Sequence, residues 1–478
     1  MYLYIHRKDL RSNDLRCFDY VRRSGQHGIH LLIIDPSLAD GDRLLCHSGR
    51  TFLSQAASLV EQYKAAGEQL HVLYGDPAAI TEALLQAHPI EEVLVHMDYT
   101  PYARMRDQAI QQVVHAAGRR WLPLDDAPLA DLEELHSFSR RSEPYKVFTP
   151  FYRMWQSFMQ SHYSPAGETT LKQLKTLKNI DASIAERFRL PREHPAASAF
   201  LRAAGAADAT EAADRTSADS FAVFDTTDAS IAPTDSGTLS AADALEQFLS
   251  LRLAGYEGSR DQFAENQTSQ LARYLNTGAL SARQAYEAAQ QQFGAEPWIR
   301  QLAWRDFFLY QGKYNEDFYR YEQKFDLSAL NDQHFEAWSR GKTGIPIIDA
   351  AMKQLNETGE MPNRLRMVTA MFLTKNLLCP FTLGEQHFRR QLADYDHTLN
   401  RGGWLWSSSL GYDAAPYFRI MNPATQSKAH DPSGTYIRRW LPELAHLSDK
   451  QVHLPQPHAI VDLKASRARA IEVYKEIV

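Results

Sequence analysis

Cysteine is scarce in this chain. Cys17, Cys46 and Cys379 are the only three in 478 residues. Their number is odd and their spacing is not that of metal ligands, which argues against a disulfide framework and fits a reducing cytoplasm. No apolar run approaches the roughly 18 residues that span a bilayer. Met1 to His6 leads straight into RKDLR without the apolar stretch and small-residue cleavage site of an export signal. A non-membrane, cytoplasmic protein is therefore expected. Two common phosphate devices are also missing: no G-x-G-x-x-G follows the first apolar run, and no G-x-x-x-x-G-K-[ST] occurs. An ordinary dinucleotide dehydrogenase or P-loop kinase is thereby excluded. Histidines lack H-x-x-x-H spacing, which leaves a zinc site without support. Nor is there a basic excess. The net charge is −6, with 25 Lys+Arg against 31 Asp+Glu in residues 1–240 and 27 of each in 241–478. A generic polyanion binder is ruled out, and any nucleic-acid surface must be a local patch on the C-terminal half.

What is present reads as two domains, as the length requires. Short β-rich runs alternate with helical stretches over the first 125 residues: Tyr2–His6, His30–Asp35, Gln69–Gly75, Glu92–Asp98 and Trp121–Leu124. This alternation predicts a doubly wound parallel α/β sheet over residues 1–130. Residues 131–240 are expected to connect the domains. Within them 195–238 is rich in Ala, Ser, Thr and Asp, a composition too poor in apolar surface to repay ordering, and a partly mobile linker is expected there. From Ala241 to Val478 the chain is aromatic and helically periodic, as in ALEQFLSLRL and NRLRMVTAMFLTKNLL, and an all-α domain is predicted.

The chemistry-bearing stretch runs from Leu251 to Leu444. Thr268, Ser269 and Gln270 follow a polar loop and are expected to begin a helix, where hydroxyls and free N–H groups suit a pyrophosphate; a plain N-cap is the alternative. Asp394 and Asp396 stand two apart before Asn400 and a Gly-Gly pair, aimed either at a ligand or at solvent. Trp304 and Trp406 read equally as core residues or as flat walls of a cavity. Any one of Arg260, Arg364 and Arg419 is more often a surface ion pair than a phosphate contact, but several converging make a phosphate clamp.

Taken in order, YEGSR from Tyr256, TSQLARYLNTGALS from Thr268, QLAWRDFF from Gln301, GKTGIPIIDAAM from Gly341, NRLRM from Asn363, DYDHTLNRGGWLW from Asp394 and DAAPYFRIMNPATQ from Asp413 resemble the photolyase/cryptochrome family. The likeness is to its class I cyclobutane pyrimidine dimer enzymes, and the N-terminal HRKDLRSND resembles the family's opening strand and loop. The resemblance implies FAD held by Tyr256, by Thr268, Ser269, Gln270, Leu271 and Ala272, and by Arg366, Asp394, Tyr395, Asp396 and Asn400. In it Arg366 pairs with Asp394, and Asn400 faces the flavin ring. It further implies light-driven repair of a dimer flipped out of DNA into a cavity walled by Trp304, Trp406 and Met367, with Gln301 and Asn363 as polar contacts. Arg260, Arg364, Arg419 and Gln426 fall at its DNA-contact positions. The protein is expected to act as a monomer on DNA containing pyrimidine dimers.

Departures from the family pattern are specific. Gln301 replaces a glutamate that bonds the dimer; glutamine donates a hydrogen bond but no proton. The same exchange occurs in (6-4) photolyases, but Asn363 and Met367 stand where those enzymes use histidines. Of the family's electron-carrying tryptophans, Trp404 matches the proximal member, whereas Phe381 and Ser328 replace the next two; Tyr319, Tyr321 and Tyr417 are conceivable substitutes. Tyr102-Ala103 replaces a folate-contacting Asn-Glu pair, which leaves folate and deazaflavin both open as a second chromophore. A cryptochrome-like light sensor without repair activity and (6-4) repair are the competing readings.

Overall fold

The computed structural model describes residues 1–203, 239–265 and 267–478, so most of the expected mobile linker, 204–238, lies outside the described residues. Five strands form one parallel sheet: β1 (Tyr2–His6), β2 (Gly28–Ile34), β3 (His71–Tyr74), β4 (Glu92–His96) and β5 (Arg120–Leu124), in the order β3-β2-β1-β4-β5. The central strand β1 pairs with β2 from Tyr2↔Gly28 and with β4 from Tyr2↔Glu92. Alternate residues feed two separate cores. Tyr2, Tyr4 and Leu32 face one, Leu3, Ile5 and Leu31 the other. A strand buried on both sides reads as a continuous apolar run, which is how β1, β2 and β4 stand in the sequence, while the edge strands β3 and β5 are only partly buried.

Among the described residues every named element after β5 is a helix. The helices that build the site are α1 (Phe148–His162), α2 (Ala272–Thr277), α3 (Glu296–Tyr314), α4 (Asn363–Met371), α5 (Phe381–Gln391) and α6 (His397–Ser408). The stretch expected merely to connect the two halves does more than that. Phe148, Phe151, Tyr152, Trp155 and Phe158 of α1 recur at helical spacing and share one core with Phe248, Leu302 and Phe307. Among the described residues no helix is long and apolar enough to cross a membrane.

The two halves interlock through the loop after β1. Leu10 N–H donates to Thr277 O (3.2 Å) and Arg11 Nη1 to Gly278 O (3.1 Å). Gly278 has φ +72°, and a Cβ there would lie 2.0 Å from Lys8 O, so only glycine lets the chains approach this closely. Beside this contact the buried Arg283 pairs with Asp14 (3.0 Å) and Asp126 (2.7 Å). On α3, Asp306 accepts from Leu129 and Ala130 N–H and from Trp155 Nε1; burial pushes its carboxyl up to about 6 despite these donors.

Candidate active site

Three helices each turn one stripe toward a common hollow. On α3 the stripe is Gln301, Trp304, Arg305 and Phe308; on α4 it is Asn363, Arg366, Met367 and Ala370; on α6 it is Leu399, Asn400, Gly403 and Ser407. Spacings of three and four are those of one helix face. Together with the loop before α2 they enclose a cavity of ≈ 380 Å³, within the usual range for a cofactor or small-molecule site.

Thr268, Ser269 and Gln270 line this cavity, as do Tyr256 and Ala272. They do not begin the helix as expected. Helix α2 starts at Ala272 with Leu271 as an N-cap that has no side-chain cap bond. The reason is local: Gln270 has φ +56°, which breaks the helical path before the turn closes. A non-glycine residue held there is a strain more often stored at binding sites than in plain turns. Among the described residues the Thr268 hydroxyl and the Gln270 amide have no hydrogen-bond partner, so both are available to a ligand. Leu271 turns away into the core and is fully buried.

Arg366 and Asp394 are joined by a forked contact, Nη2 to Oδ1 at 3.0 Å and to Oδ2 at 2.9 Å, while Arg366 Nε donates to Met361 O (2.7 Å). Asp396 has two duties. It caps α6 by accepting from Leu399 N–H (3.0 Å), and it meets Lys8 Nζ (2.9 Å), which also reaches Asp98 (3.1 Å). Burial opposes the charge on Asp396, but the Lys8 ammonium overrides it and holds the carboxyl below its ordinary value. Asn400 donates through Nδ2 to Glu385 O (3.1 Å), and Tyr395 completes this side of the cavity.

Whether FAD fits is decided by the wall itself. Gly403 lies inside α6, where alanine would be preferred, yet a Cβ there would meet nothing within 4 Å. Open space kept at a helical glycine on a cavity wall suits a flat ring lying against the helix. Arg305 is the second indication. Its guanidinium is held by the carbonyls of Ala127 (2.6 Å) and Leu275 (3.2 Å), and its Nε is buried without a partner. A cation on the wall, with no carboxylate in contact among the described residues, is what a phosphate requires. The residues present therefore fit the group.

Not every expected residue reaches the cavity. Trp304 and Met367 line it, but Trp406 does not; Trp404 lines it instead. At 100° per residue the two tryptophans flank the α6 stripe on opposite sides, Trp406 about 75° and Trp404 about 85° from its centre, and of the two only Trp404 borders the hollow, while Trp406 is half-buried outside it. Gln301 lines the wall and donates through Nε2 to Pro297 O (3.1 Å). Arg364 is tied to Asp261 (2.7 Å), and Arg260 lies over the ring of Tyr256 at 5.6 Å, one layer behind the wall. Arg419 is exposed, and the Gln426 Oε1 is buried without a partner. Phe381 is buried beneath the Arg401 guanidinium, 5.0 Å from its ring centroid. Trp404 packs instead against Phe388 (5.0 Å) and Trp338 (6.1 Å), so the neighbouring indole is Trp338, which the sequence reading had not singled out. Ser328 is exposed. Arg305, Phe308, Gly403 and Lys8 were also missed. For the first three the signal was present as helical spacing from Gln301 and Asn400.

Two family models match the chain, DNA photolyase over residues 2–170 and the FAD binding domain of DNA photolyase over 298–476. The deoxyribodipyrimidine photo-lyase of Alkalihalophilus pseudofirmus is 32% identical over 98% of this chain and 96% of its own length, and that of Vibrio cholerae 31% identical over 99% of each. A solved class III photolyase from Agrobacterium tumefaciens is similar in fold, with a TM-score of 0.79 at 27% identity, covering 99% of this chain and 97% of its own. The second model begins at Trp298, on the helix whose stripe forms the cavity wall, and the full-length likeness extends over both halves that interlock at Lys8: the chain belongs to the DNA photolyase family.

Proposed function

We propose that this chain is a deoxyribodipyrimidine photo-lyase, an FAD enzyme that uses light to split cyclobutane pyrimidine dimers in DNA. The observation that carries this reading is that one cavity holds both chemistries: the phosphate-type donors of Thr268, Ser269, Gln270 and Arg305, and the flat and amide walls of Trp304, Gln301, Asn363 and Met367. Bound FAD would supply light absorption and lend the dimer one electron, which opens its two cyclobutane C–C bonds and then returns, so that no net redox change results. The protein residues do the rest. Arg366, fixed by Asp394 on the cavity wall, would set a positive charge beside a bound flavin and so favour its anionic form. Asn400 on α6 and the Lys8-held Asp396 that caps it would hold and orient the group. Trp304 and Met367 give an extruded dimer apolar faces in place of its lost stacking. Gln301 offers its second N–H and its Oε1 to the base edges, but no proton.

In the same reading Arg260, Arg364, Arg419 and Gln426 contact DNA around the cavity mouth, residues 1–130 serve as an antenna-type domain and 241–478 as the catalytic domain, and the enzyme works as a monomer in the cytoplasm. The test is a duplex bearing one thymine dimer, incubated with the reduced holoprotein in light and in darkness. Light-dependent loss of the lesion supports the function. Selective binding without repair would make the protein a sensor, and repair of a (6-4) lesion alone would overturn the substrate.

A further inference from the structure

We propose that Phe148, from the segment between the two halves of the chain, is a positioning residue of the substrate wall: its ring fixes the plane of Trp304. The proposal rests on the reading of Trp304 as that wall. Trp304 is half-buried and lines the cavity, while Phe148 lies against it with ring centroids 3.6 Å apart and an interplanar angle of 9°. Such close parallel contact leaves the indole little freedom to tilt.

Phe148 does not stand alone. Tyr152 stacks behind it (5.4 Å, 15°) and Trp155 behind Tyr152 (6.0 Å, 20°), at i+4 and i+7 on α1. Trp155 Nε1 then donates to Asp306 of α3 (3.0 Å), the helix that also bears Trp304. The column thus begins and ends on one helix, and the wall is braced by a closed circuit of packed rings and a buried hydrogen bond. Arg300 closes its side, 5.8 Å from the Phe148 ring centroid and 5.2 Å from that of Tyr152.

The experiment compares holoprotein variants in darkness by fluorescence anisotropy, on a duplex with one thymine dimer and on the same duplex undamaged. Phe148→Leu keeps FAD and its affinity for undamaged DNA but binds the dimer duplex about fivefold more weakly, the scale of one aromatic pair. Its repair yield per bound dimer stays unchanged, and Phe148→Tyr restores dimer affinity. An unchanged dimer affinity in Phe148→Leu, or equal losses on both duplexes, overturns the proposal. Phe148→Met carries the same expectation if the leucine variant loses FAD; loss of FAD by both would assign Phe148 to folding and overturn it too. Trp304→Ala separates the two readings. If it abolishes dimer selectivity while Phe148→Leu does not, only the positioning role falls, and if it leaves selectivity intact, the wall assignment of Trp304 falls first.

Discussion

Substituting Gly403 should raise stability and lower cofactor affinity at once, a combination that follows from where this glycine sits. It lies inside α6 and faces open space, whereas a Cβ at its neighbour Gly402 would lie 2.2 Å from the Phe308 ring. Replacing a helical glycine by alanine is worth about 1 kcal/mol when the new methyl meets nothing. Gly403→Ala should therefore raise the melting temperature of the FAD-free protein by about 1 °C, the shift expected for about 1 kcal/mol in a chain of 478 residues. Gly403→Leu extends a branched side chain into the ≈ 380 Å³ cavity. If the ring lies against this helix, the overlap should cost about 1–3 kcal/mol of binding, a loss of roughly 5- to 150-fold in FAD affinity. Scanning calorimetry of the FAD-free protein and titration of FAD by fluorescence quenching read the two effects separately. Gly402→Ala serves as the control and should only destabilise. A leucine variant that binds FAD one-to-one with the parent's affinity would refute the seating of the cofactor on α6, and an alanine variant that melts lower would refute the open face.

Arg366→Met removes the forked partner of Asp394 and leaves that half-buried carboxylate without its cation; FAD retention, read as flavin absorbance per protein, should fall about tenfold, consistent with the penalty for an unsatisfied charged group. Gln301→Glu restores a group that can hold a proton and should raise the light-dependent repair yield of cyclobutane dimers, while an unchanged or lower yield would count against the role given to this position. Stability should fall between pH 7 and pH 5. Burial pushes His387 and His397 down to about 4, so below the ordinary histidine value near 6.5 the unfolded chain binds more protons, and each histidine weakens the fold by about 2 kcal/mol at pH 5. Asp306, raised to about 6, binds its proton first in the folded chain and returns about 1 kcal/mol over the same window. Urea unfolding at the two pH values measures the balance, and His387→Gln should flatten it.

How much of this was legible beforehand depends on the range over which each feature is encoded. The strands were, most plainly β1, β2 and β4, which are covered on both faces and need apolar runs that no polar alternation interrupts; strand ends shifted by one or two residues, as at Gly28–Ile34 against the expected His30–Asp35. The cavity stripes were half legible. Gln301, Trp304, Asn363 and Asn400 came from motifs, but the same helical spacing also points to Arg305, Phe308 and Gly403, one of them the phosphate-type cation and another the open glycine. The aromatic spacing of α1 was equally present in a stretch taken for a connection. What no local pattern carries is the pairing of distant residues: Lys8 with Asp396, 388 positions apart, Arg364 with Asp261, and Phe148 with Trp304. Each of these contacts decides how a motif residue is held, whether Asp396 keeps its charge, whether Arg364 is free for phosphate, and which way the Trp304 ring faces. Motifs therefore name the chemistry of this site, while its geometry is set by pairings between distant residues, inside a motif as at Lys8 and outside every motif as at Phe148. Substitution at Lys8 should accordingly alter cofactor seating, and substitution at Phe148 dimer binding, without changing any residue of the cavity lining.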